Sequence, residues 1–115
     1  MFTELCRVLE TQFPDRSCAW RIENIIASGT PDVCMTVAGL TYWVELKYGH
    51  TKVRPAQVAR IEQWSRGGGL ACVLRYIPRL SSGVYRLHLY TDDADDPEIF
   101  EGTLTKVLVD LVEDY

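Results

Sequence analysis

Apolar residues recur along this chain with two different periods, and the switches between them mark the elements. Phe2, Leu5, Cys6, Leu9 and Phe13 fall at i, i+3, i+4, i+7 and i+11, which predicts an amphipathic helix over 2–13 that Pro14 and Asp15 bring to an end. Cys18–Ile22 (CAWRI) reads as a first strand. From Ser28 to Lys47 the period falls to two on both sides of Ala38-Gly39, the signature of a hairpin around a tight turn. With Val37 opposite Leu40, paired numbers sum to 77: Val33 faces Val44, Met35 faces Tyr42 and Asp32 faces Glu45. One face of the hairpin is then Val33, Met35, Val37, Leu40, Tyr42, Val44 and Leu46, all apolar, and the other carries Asp32, Cys34, Thr36, Thr41, Trp43, Glu45 and Lys47.

A polar, basic stretch (YGHTKVR) leads to Pro55, which suits the first turn of a helix running to about Arg66, with Gln57, Ile61 and Trp64 as its inward stripe. Gly67-Gly68-Gly69 stops it. Leu70–Ile77 and Val84–Tyr90 read as strands joined by the turn-rich PRLSSG, the acidic TDDADDPE as a solvated loop, and Leu104–Leu111 as a closing helix or strand. The order is αβββαββ followed by a tail. It predicts an α/β (α+β) domain with helices on a mixed sheet of four to five strands.

Composition narrows this only a little. A length of 115 residues, 47% hydrophobic and 24% charged, fits a single globular domain over 1–115. No apolar run approaches a membrane span, and MFTELCRVLE lacks the pattern of a signal peptide. Cys6, Cys18, Cys34 and Cys72 are widely spaced, which points to reduced thiols in a cytoplasmic protein rather than a disulfide or zinc framework. Charge is more informative. Residues 1–90 carry eleven Lys/Arg against seven Asp/Glu, whereas 91–115 carry one against nine. A basic body with an acidic C-terminal extension permits a polyanionic partner for the body.

The candidate chemistry sits on the polar face of the hairpin. The register sets Asp32 and Glu45 side by side across two strands, with β-carbons roughly 4.5–5.5 Å apart, an arrangement that destabilises a sheet unless something offsets the like charges. A divalent cation would do so, with Lys47 beside it. A solvated face with an ordinary Glu45–Lys47 pair fits the same pattern. Gln57 is out of place on an apolar stripe, and it reads either as a site residue or as a boundary side chain satisfied by backbone.

Gly29-Thr30-Pro31-Asp32, then Glu45-Leu46-Lys47, then Gln57 in the following helix resembles the PD-(D/E)xK nucleases. Within them it is most similar to the VRR-NUC branch and the small phage-type, Holliday-junction-resolvase-like enzymes; the matching segment runs from about Trp20 to Leu74. The resemblance implies a restriction-endonuclease-like fold and a metal-dependent endonuclease acting on branched DNA as a homodimer. It implies that Asp32, Glu45 and the Leu46 carbonyl hold Mg²⁺ or Mn²⁺. Lys47 would orient the attacking water, and Gln57 would position Lys47 or a phosphate oxygen. The family's usual helix glutamate has three candidates, Glu4, Glu10 and Glu23, of which the expected topology favours Glu4. Lys52, Arg54, Arg60 and Arg66 follow the Glu-x-Lys strand and are expected to meet phosphates. The other reading is a non-catalytic DNA- or protein-binding module on the same fold.

Overall fold

The computed structural model describes residues 1–22, 31–79, 82–91 and 98–114. Helix α1 (Phe2–Gln12) is followed by strands β1 (Ser17–Arg21), β2 (Val33–Val37) and β3 (Leu40–Tyr48), helix α2 (Pro55–Arg66), strands β4 (Leu70–Ile77), β5 (Val84–Tyr90) and β6 (Glu98–Gly102), and helix α3 (Leu104–Asp114). The six strands lie side by side in chain order. All neighbours are antiparallel except β3 and β4, which run parallel. A parallel pair needs a crossover, and α2 is that crossover.

The hairpin takes the register that the alternation predicts, with Val33 opposite Val44, Met35 opposite Tyr42 and Val37 opposite Leu40. Ala38 and Gly39 both have positive φ, 51° and 85°, as a two-residue turn with the right twist for a hairpin requires. The apolar face of β2 and β3 packs into the main core with Leu5, Val8 and Leu9 of α1 and Leu104, Val107, Leu108 and Leu111 of α3. Because side chains alternate across a strand, Trp43, Ala71 and Val73 lie on the opposite face, where Ile61 of α2 covers them in a second, smaller core. The sheet is therefore sandwiched, with α1 and α3 on one side and α2 on the other.

Two expectations are revised and one left open is settled. There are six strands rather than four or five, because β6 (EIFEG) buries only Phe100 among its five residues and gives no apolar run. Leu104–Leu111 resolves as a helix, its buried residues falling at i, i+3, i+4 and i+7. The buried stripe of α2 is Gln57, Ile61 and Ser65 instead of Gln57, Ile61 and Trp64. Trp64 lies partly exposed over Gly69, donating its indole N–H to the Leu70 carbonyl at 3.0 Å and meeting Trp43 edge-on at 4.9 Å. Among the described residues no helix is long and apolar enough to cross a membrane.

Candidate active site

The site forms where β2 begins. Asp32 immediately precedes the first paired residue of that strand, and the register continued by one step sets it against Glu45 in the middle of β3. One step further, Pro31 comes opposite Leu46, at a position where an antiparallel pair would exchange both backbone hydrogen bonds. Proline has no N–H to offer. The Leu46 N–H is instead taken by the Asp32 carboxylate, Oδ2 accepting at 2.9 Å. The carbonyl of Leu46 points to the same side as its N–H, and Pro31 supplies no donor to it. Pro31 and Asp32 together thus end the ladder, leaving the Asp32 carboxylate on the Leu46 N–H and beside the Glu45 carboxyl.

Glu45 is 3% exposed, one of three buried polar residues in the described chain; Gln57, also 3%, is another. They are partners. Gln57 donates from Nε2 to Glu45 Oε1 at 2.6 Å, and its Oε1 accepts the backbone N–H of Arg54 at 2.9 Å. The same amide therefore closes the first turn of α2 and fixes the carboxylate. Lys47 stands on the same face, Nζ 3.9 Å from Glu45 Oε1 and only 10% exposed. Gln57 is thus satisfied by backbone at the helix boundary, and its amide meets Glu45 where the expectation was Lys47 or a phosphate oxygen.

Burial pushes the Glu45 carboxyl up to about 8, and its hydrogen bond to Asp32 and the negative charge there push the same way, against Lys47 and Arg54. The neighbouring cations do not cancel what burial and Asp32 do to the Glu45 carboxyl. Hard oxygen donors, two of them carboxyl groups held by hydrogen bonds to a peptide N–H and an amide, suit Mg²⁺ or Mn²⁺, which would displace the proton that Glu45 otherwise keeps. Asp32, Glu45 and the Leu46 carbonyl would hold such an ion.

The remaining candidates are distributed more widely. Glu4 is engaged by Arg7, its neighbour one turn along α1, and its charge acts on Tyr85 of β5. Glu10 is exposed on the same helix. Among the described residues no third His, Cys, Asp or Glu joins Asp32 and Glu45 in a metal-binding group. Glu23 and the segment Gly29-Thr30 lie outside the described residues. Lys52, Arg54, Arg60 and Arg66 are all exposed. Arg54 caps α2 next to Glu45, whereas Arg66 sits in its last turn, roughly 18 Å further along a helix that rises 1.5 Å per residue. Trp43 shares the face of Glu45 and Lys47 and packs against the α2 core there, and its indole N–H is buried without a partner in the described chain. His50 is exposed and His88 is half-buried on β5.

One residue near the site escapes the sequence reading. Arg75 of β4 pairs in register with Lys47 and donates from one guanidinium nitrogen to the carbonyls of Gly49 and Thr51, at 2.8 and 2.7 Å. The available signal is a single charge in an otherwise apolar and aromatic strand, LACVLRYI.

No family model and no curated protein matches the chain. Among solved structures it is similar to Archaeoglobus fulgidus Hjc, a Holliday junction resolvase from an archaeal hyperthermophile, with a TM-score of 0.54 and 14% identity over 96% of this chain and 98% of that one. The likeness spans nearly the whole of both chains and is one of fold. The chain has the restriction-endonuclease-like fold, a mixed six-stranded sheet flanked by helices.

Proposed function

We propose that the protein is a Mg²⁺- or Mn²⁺-dependent endonuclease that hydrolyses phosphodiester bonds in DNA, selects branched structures such as four-way junctions, and works as a homodimer. The observation that carries the reading is the convergence of Asp32, Glu45 and Lys47 at the point where Pro31 interrupts the β2–β3 ladder, with Gln57 holding Glu45. The fold shared with a Holliday junction resolvase supports it, as does the PD…ExK spacing.

Each residue has a distinct task. Asp32 and Glu45 supply negative charge and oxygen donors, and their own hydrogen bonds keep both carboxylates from turning away. Asp32, Glu45 and the Leu46 carbonyl would hold a divalent ion, whose chemistry there would be to acidify a water and offset charge on the scissile phosphate. Lys47, a compact ammonium on a strand with its stem buried, orients the attacking water and stabilises negative charge as it develops. Gln57 is a positioning residue for Glu45. Lys52 and Arg54, exposed in the segment between β3 and α2, hold phosphates, with Arg60 and Arg66 on α2 adding to them. Symmetric cutting of two strands calls for two copies related by a two-fold axis.

The test is a substrate panel: linear, flapped, bubble and four-way DNA incubated with Mg²⁺, with Mn²⁺ and with chelator. Metal-dependent cleavage that favours branched DNA is expected. Intact products on every substrate would leave the non-catalytic binding module as the better account.

A further inference from the structure

In the parallel β3–β4 register Arg75 stands directly beside Lys47, on the same face. Like charges so placed destabilise a sheet unless each has something to bind. Lys47 has Glu45. Arg75 turns to the chain that leaves β3, where one nitrogen donates to two carbonyls two residues apart, Gly49 and Thr51. The same turn is folded on itself and onto β4. Gly49 has a φ of 63°, its N–H reaches the Tyr76 carbonyl at 2.7 Å, and the Thr51 hydroxyl donates to the Tyr48 carbonyl at 3.0 Å.

Three residues later the chain is caught again, when the Arg54 N–H binds Gln57 and Gln57 binds Glu45. The segment 49–54, which carries Lys52 and Arg54, is thus tied at one end to Arg75 and at the other to the catalytic carboxylate. A six-residue connection held at only one end would keep its charges but not their placement, because the ordering of each backbone residue costs free energy that these bonds supply.

We infer that Arg75 is a positioning residue for nucleic acid: it fixes segment 49–54 so that Lys52 and Arg54 meet the phosphate backbone at set places beside Lys47, and it acts through that segment without touching the substrate. The inference rests on the proposed DNA-cleaving function and assigns a residue to it that the Pro-Asp and Glu-x-Lys pattern does not contain.

The test uses the full chain with Arg75→Gln and Arg75→Lys. Amide hydrogen exchange of the free protein is compared with binding of a fluorescent four-way DNA in chelator at several salt concentrations. In Arg75→Gln, exchange at 50–54 is expected to rise at least tenfold while the centre of β4 stays protected. DNA affinity falls about tenfold, with a salt slope within half a unit of wild type. Arg75→Lys, with the charge but not the planar guanidinium, recovers exchange and affinity only in part.

Unchanged exchange at 50–54 in Arg75→Gln would overturn the inference. So would full recovery of affinity in Arg75→Lys while exchange stays fast, or a salt slope reduced by about one unit, the mark of a lost phosphate contact. Loss of β4 protection would also overturn it, as the sign of a residue needed only for folding. Failure of the wild type to cleave any DNA would sink the proposed function instead, and the exchange result would still decide whether Arg75 holds the segment.

Discussion

Glu45 is the residue on which the chemistry and the stability of this protein meet. Its carboxyl is raised to about 8 by burial and by Asp32. An acid raised in the folded state binds more protons there than when unfolded, so its contribution to stability is full below its ordinary range and is lost as pH rises towards 8. In chelator, the wild type is therefore expected to lose stability relative to Glu45→Gln between about pH 5 and 8, with a slope of at most about 1.4 kcal/mol per pH unit, and to run parallel to it above that. Denaturant melts across that range check it. Parallel curves throughout would mean that Glu45 stays ionised in the fold. The metal claim has its own readout: Mn²⁺ titrated calorimetrically into wild type is expected to bind with at least tenfold higher affinity than into Asp32→Asn, and equal affinities would count against the Asp32 ligand. Gln57→Leu strips Glu45 of its amide partner and α2 of its first-turn bond; a loss of about 1–3 kcal/mol is expected in thermal or chemical unfolding.

At the scale of elements, the hairpin was the most legible part of the chain and the helix after it less so. Strict alternation on both sides of a two-residue turn leaves only one register that buries a whole apolar face, which is why pairs such as Met35–Tyr42 follow from the sequence. In α2 the stripe Gln57–Ile61 leaves two choices for the next inward position, and the structure takes Ser65, not Trp64, because the indole finds a carbonyl acceptor on Leu70. That arrangement makes Gly69 specific. A β-carbon there would come 2.2 Å from the Trp64 indole nitrogen, so Gly69→Ala is expected to cost about 1–3 kcal/mol by forcing the ring aside. Its thermal midpoint relative to wild type measures this, and an unchanged midpoint would show that Trp64 is free to move. Arg75 was not legible as a site residue because its role depends on parallel pairing between strands more than twenty residues apart.

For the whole molecule, the acidic C-terminal stretch is the part whose role the composition hides. Nine acidic residues against one lysine over 91–115 mark an acidic extension of the domain, and α3 places Leu104, Val107, Leu108 and Leu111 of it in the main core against α1. Leu108→Ala is accordingly expected to cost about 2–5 kcal/mol, as for any buried leucine, where a true appendage would lose nothing measurable in denaturant unfolding. The order of strands, the crossover helix and the sandwiching of the sheet place the opening of β2, the middle of β3 and the first turn of α2 at one point, and that is where the candidate chemistry gathers. The measurement that bears on this most directly is single-turnover cleavage of four-way DNA in Mg²⁺ by wild type, Asp32→Asn and Lys47→Ala. Cleavage by the wild type with a fall of about 10²–10³-fold in both variants, at unchanged folding, is the expected result. Cleavage that survives both substitutions would contradict the account.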